Sequence, residues 1–89
     1  MKKRVLCLVA DGVEELELVA PTDVLRRAGA EVVLAVVGES LHVKGRNGIV
    51  LHGDALLADV EPSAYDLLLI PGGAAVARLR QDGRPAELA

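Results

Sequence analysis

Apolar residues fall in blocks along this chain, and the blocks define its elements. Val5-Leu6-Cys7-Leu8-Val9-Ala10 is unbroken, and so are Val32-Val33-Leu34-Ala35-Val36-Val37 and Leu67-Leu68-Leu69-Ile70. Short continuous aliphatic runs bounded by polar or glycine positions predict strands of a parallel sheet covered on both faces. Strands are therefore expected over residues 4–10, 31–37 and 66–70. A helix is expected between the first two, starting near Val13 or Glu14. Its end is marked by Arg26-Arg27-Ala28-Gly29, where two cations suit the negative end of the helix dipole and glycine supplies a left-handed cap. Pro21 has no N–H to donate, so the helix is expected to be kinked or to form two pieces, residues 14–19 and 21–28.

Val43 and Ile49-Val50-Leu51 flank Gly45-Arg46-Asn47-Gly48. The Asn-Gly pair predicts a hairpin with a type I′ turn. Residues 54–60 read as a polar-capped loop or short helix. Residues 74–80 should begin a helix and 84–89 the start of another. The order is β-α-β-hairpin-β-α, an α/β parallel-sheet architecture. No internal repeat or linker interrupts it.

At 89 residues there is room for one domain. Without Phe or Trp and with one Tyr, its core must be Val, Leu, Ile and Ala. A net charge of −3 with no basic stripe and no aromatic platform argues against nucleic acid. The apolar run after Lys2-Lys3-Arg4 is shorter than a signal-peptide core, and no stretch approaches the roughly 18 apolar residues of a membrane helix. With one cysteine and no internal disulfide, a cytoplasmic protein is the expectation. Three apolar parallel strands leave an edge bare, so residues 1–89 read as part of a larger domain; alone they are expected to be poorly folded or to self-associate, with a second copy or a complementary C-terminal fragment as the partner.

Candidate chemistry gathers where strands end. Asp11-Gly12 and the acidic cluster Glu14, Glu15 and Glu17 follow the first strand; Pro71-Gly72-Gly73 follows the third. Sites in open α/β sheets form at the carboxyl ends of strands. The glutamates are either a solvated first turn that suits the helix dipole, or they direct a carboxylate into the cleft to hold a proton for a nucleophile. Glu14 and Glu17, three residues apart, share a helix face. Glu14 and Glu15 are expected in the more exposed first turn, with Glu17 desolvated in the complete protein to which this chain belongs. Gly72-Gly73 makes either a tight turn or a pair of N–H donors able to stabilise an oxyanion.

Cys7 lies in mid-strand and reads as inert core filler. His42 and His52 flank the hairpin and can meet across it. Lacking a carboxylate or thiol at ligand spacing, they read as ordinary surface imidazoles, with no metal site and no cofactor. Asp11-Gly12 reads as turn chemistry.

Together these stretches resemble the ThiJ/PfpI superfamily. The matching segments are residues 5–17, Pro21-Thr22-Asp23-Val24-Leu25-Arg26-Arg27-Ala28-Gly29, Gly48-Ile49-Val50-Leu51, Asp54, and Tyr65-Asp66-Leu67-Leu68-Leu69-Ile70-Pro71-Gly72-Gly73. The resemblance implies a flavodoxin-like sandwich, of which residues 1–89 correspond to the N-terminal half. It implies a reactive cysteine on a strand-to-helix elbow one strand beyond Pro71-Gly72-Gly73. Cys7 does not match that position. Glu17 matches the glutamate that holds the thiol, and Gly73 with Gly72 matches the oxyanion pocket.

Members are glyoxalases, deglycases, chaperones, proteases or amidotransferase-like enzymes, so a small carbonyl substrate is implied. Many are homodimers, with the first helix and hairpin near the interface. A family arginine lies in the hairpin; Arg46 is close, while the motif register places Asn47 there. The implied function is the N-terminal portion of a cysteine-dependent enzyme, supplying an acid and glycines without the nucleophile. The competing reading is a non-enzymatic remnant or interaction module that binds a small anion. Other flavodoxin-like functions fit poorly. A receiver needs an aspartate where Ile70-Pro71 stands, and Asp11-Gly12-Val13-Glu14 would repel a flavin phosphate.

Overall fold

The structure, a computed structural model, describes residues 3–72. Its elements are β1 (Arg4–Val9), α1 (Glu15–Arg27), β2 (Glu31–Val36), β3 (His42–Lys44), β4 (Val50–His52), β5 (Ala55–Leu56) and β6 (Leu67–Leu69). Short 3-10 turns at Leu57–Asp59 and Pro62–Ala64 join β5 to β6. The helices expected over 74–80 and 84–89 lie outside the described residues.

The three apolar blocks become three parallel neighbours. The main sheet runs β5-β2-β1-β6, and Cys7 at its centre stands opposite Leu34 on one side and Leu69 on the other. β1 is thus an interior strand, flanked by β2 and β6, and all of Val5 to Ala10 is buried. Leu6, Leu8, Val9, Val13, Leu18 and Val43 form the most deeply buried part of the core. Removing each such side chain from water contributes about 1.5–3 kcal/mol.

The N-terminal ends of the strands are fastened by side chains. Asp66 Oδ2 accepts from the Arg4 N–H at 2.9 Å, while the Asp66 N–H donates to the Arg4 carbonyl. The Arg4 guanidinium pairs with Glu31 and stacks 4.5 Å from the Tyr65 ring centre. Asp54 accepts from Leu34 N–H and from Arg26, tying the end of α1 to β2 at the start of β5.

Two local expectations change. α1 is one helix, not two, although Pro21 lies inside it. Proline removes the bond to the Glu17 carbonyl. The inward residues Glu15, Leu18 and Thr22 are nevertheless buried along one side, so packing on the sheet outweighs that loss. Thr22 Oγ1 also donates to the Leu18 carbonyl at 2.7 Å in the same stretch.

The hairpin exists, with β3 and β4 antiparallel, but its turn is longer than type I′. Gly48 N–H donates to the Gly45 carbonyl, and Gly45 N–H to the Ile49 carbonyl. Gly48 has φ +85°, whereas Asn47 has no positive φ. This is the pattern of a three-residue loop closed by a left-handed glycine. The segment expected as a loop or short helix splits into β5 and the 3-10 turn that follows.

Candidate functional site at the carboxyl ends of the strands

The loop after β1, the first turn of α1, the β3–β4 loop and Pro71-Gly72 converge at one end of the sheet. Backbone bonds hold them together. Gly12 N–H donates to the Lys44 carbonyl at 2.9 Å, and Arg46 N–H to the Val13 carbonyl at 2.9 Å. Asp11 Oδ1 accepts from Lys44 N–H at 3.1 Å, and Gly12 takes φ +89°, so Asp11-Gly12 is a turn that also anchors the hairpin. Glu14 N–H donates to the Gly72 carbonyl at 3.1 Å. That last bond fixes the glycine turn to the start of the helix.

The three glutamates of the cluster have three different surroundings. Glu14 Oε1 accepts from Arg46 Nη1 at 2.7 Å. This ion pair is partly open to solvent. Glu15 turns inward and is only 5% exposed, which corrects its expected place in an exposed first turn. Its Oε2 accepts from the N–H groups of Asn47 (2.9 Å) and Ile49 (3.2 Å), and its Oε1 from Asn47 Nδ2 (3.0 Å). Burial pushes the Glu15 carboxyl upward. The hydrogen bonds from its own N–H, Ile49, and the side chain and N–H of Asn47 outweigh that, holding it below the ordinary glutamate value. The residue opposite must be small: a Cβ on Gly45 would run into the Glu15 carboxyl.

Glu17 is exposed among the described residues; its desolvation is expected in the complete protein, and residues 3–72 do not test it. Among the described residues no hydrogen bond engages its carboxylate. It rests instead over Gly72, where a Cβ would meet Oε2 at 2.9 Å, Oε1 at 3.1 Å and Cδ at 3.3 Å. Glycine at 72 therefore gives the carboxylate its seat. Gly73 lies outside the described residues. Glu14 precedes the helix in an extended conformation, so the shared helix face expected of Glu14 and Glu17 does not form, and among the described residues Glu14 has an ionic partner and Glu17 none.

A carboxylate that is exposed, seated beside Gly72 and without a partner among the described residues can hold or exchange a proton with a group brought against it. Cys7 is not that group. It is fully buried, and burial pushes its thiol up to about 12, only partly offset by the nearby Arg26 charge. An open cavity of about 480 Å³ lined in part by Lys3, Val5, Leu25, Ala30 and Leu67 lies at the opposite ends of the strands and does not touch Glu17. The sequence signalled Glu17 and Gly72 but not the hold of Asn47 and Ile49 on Glu15. That contact joins residues more than thirty apart, and no local pattern announces it.

The family model described as DJ-1/PfpI matches residues 3–89. DJ-1 homolog B of Arabidopsis thaliana is 47% identical over 70 residues, covering 79% of this chain and 16% of that protein. A deglycase of Pyrococcus abyssi is 35% identical over 86 residues, covering 97% of this chain and 51% of that protein. Among solved structures, Toxoplasma gondii DJ-1 superposes with TM-score 0.78 at 44% identity, over 82% of this chain and 40% of the other. Drosophila melanogaster DJ-1beta gives 0.78 at 37%, over 84% and 40%. The chain thus spans about half the archaeal deglycase and a smaller share of the plant protein. The parallel sheet is that of the flavodoxin-like neighbours, and the family-model match over residues 3–89 places the chain in the DJ-1/PfpI family.

Proposed function

We propose that residues 1–89 supply the acid and glycine half of a thiol-dependent active site acting on small carbonyl compounds, the thiol coming from outside these residues. The observation that carries this reading is the seat of Glu17 over Gly72, with Glu14 N–H clamping the same glycine. A carboxyl group held there can hydrogen-bond an incoming thiolate, and the glycine turn leaves space for a substrate oxygen. That a relative from Pyrococcus abyssi is a deglycase supports the carbonyl class.

The purified 1–89 chain is expected to show no thiol-dependent loss of methylglyoxal, and Cys7 should resist a thiol reagent until the chain is unfolded. Joining the chain to the C-terminal half of the archaeal deglycase should create turnover. Turnover by residues 1–89 alone that disappears in Cys7→Ala would refute the reading.

We further propose that the chain pairs with a second copy through the outer face of α1 and the hairpin. Leu16 is 77% exposed, and Val19, Ile49 and Val50 are exposed with it. Exposed aliphatic side chains grouped on adjoining elements mark interaction surfaces, and a self-complementary patch suits two-fold pairing. Sedimentation should show a dimer that Leu16→Lys converts to monomer at about 100 µM chain. A wild-type monomer at that concentration would remove the proposal.

A further inference from the structure

The β3–β4 hairpin places its two histidines directly opposite one another. His42 pairs with His52 in the antiparallel register, and both are exposed. The next pair, Val43 with Leu51, faces the protein, with Val43 buried at 1%. Side chains alternate along a strand, so both imidazoles stand on the outer face, with Lys44 and Val50 following. Their ring centres are 5.0 Å apart, with the planes at 83°.

We propose that His42 and His52 form a two-point chelate for a divalent transition-metal ion that prefers imidazole, namely zinc, nickel or copper. Metal–nitrogen bonds of about 2.0–2.1 Å on a tetrahedral ion set two imidazole centres roughly 5 Å apart. The observed separation already meets that requirement, so rotation of the rings about their side-chain bonds is all that binding asks. Imidazole nitrogen suits these metals, with copper the tightest in the usual order.

Among the described residues no cluster of three or more His, Cys, Asp or Glu side chains could hold a metal. Water therefore completes the coordination shell, and the ion exchanges freely, unlike a closed structural zinc. The Lys44 ammonium, two residues along the same face, works against a cation and keeps the affinity modest. Asp11 is engaged with Lys44 N–H.

The site sits at the base of the ribbon whose loop grips the first helix. Arg46 holds Glu14 and Asn47 holds Glu15. An ion bridging β3 and β4 favours only the closed hairpin, so binding and folding are linked. Metal should accordingly raise the thermal midpoint as its concentration rises.

The test is a calorimetric titration of tag-free chain with zinc or nickel chloride. One ion per chain is expected, with saturation reached below about 1 mM metal. His42→Ala and His52→Ala should each weaken binding at least about tenfold, and Cys7→Ser should leave it unchanged. A smaller loss in either histidine variant, or no binding by wild type near about 1 mM metal, overturns the proposal. Should a variant fail to fold, the imidazole NMR signals of the wild type decide. Both rings must shift together on adding zinc, and a shift of one alone or of neither overturns it.

Discussion

Replacing Glu15 by alanine is expected to lower the thermal midpoint by roughly 10 °C or more. The carboxylate is the buried end of a link between α1 and the hairpin, and its loss strands the N–H groups of Asn47 and Ile49. Unpaired buried donors cost more than the bond that satisfied them contributed. Glu14→Ala should do far less, because the Glu14–Arg46 pair is partly exposed and such pairs contribute little. Thermal unfolding followed by circular dichroism separates the two. Equal, small shifts in both variants would mean that Glu15 is not the anchor.

The same group gives stability a pH dependence with a defined sign. Its folded value lies below its unfolded one. Its contribution is therefore complete above the ordinary glutamate value of about 4.3 and is lost as pH falls through the lower folded value. Glu15→Gln should flatten this acid limb. The neutral amide keeps one acceptor, but it cannot accept all three bonds that the carboxylate accepts.

The second large effect is expected at Gly72. In the completed enzyme Gly72→Ala should cut catalytic efficiency by about 100-fold while leaving the thermal midpoint nearly unchanged. The added methyl occupies the place of the Glu17 carboxylate, whose Oε2 would lie 2.9 Å from it. The carboxylate is the far end of a flexible side chain, so it swings away at little cost in stability. Gly72 has no positive φ, so alanine adds no backbone strain there. A stable variant with full activity would show that the seat of Glu17 is irrelevant to the chemistry.

Much of the fold was legible because each apolar block is long enough to form one strand, although β6, expected to be buried, has Leu67 exposed and Leu68 and Leu69 half-buried among the described residues. The parallel order follows once α1 returns the chain from the end of β1 to the start of β2. Short-range glycine signals located the hairpin, but whether its loop held two or three residues depended on docking. In the folded chain Arg46 N–H bonds the Val13 carbonyl and Asn47 bonds Glu15, contacts that suit the three-residue loop and that no short-range signal carries.

The intact α1 has the same kind of cause. Pro21 argues locally for a break, whereas Leu18 and Thr22 pack on the sheet whether or not one backbone bond is missing. Among the glutamates, adjacency in sequence concealed opposite fates. Glu15 and Glu17 differ by about 200° around a helix, so one turns inward and the other outward. Only knowing which side meets the hairpin decides between them.

The central claim is that Glu17 serves a thiol brought against it. The most direct measurement is thiolate absorbance against pH in the chain joined to a C-terminal half that carries the reactive cysteine. Cys7→Ser removes the background, and Glu17→Ala is compared with it. Glu17→Ala is expected to move the thiol titration to higher pH and to slow alkylation, with Glu17→Gln recovering part of the difference. An identical titration with and without Glu17 would contradict it, leaving Glu17 an exposed residue of the first helical turns and nothing more.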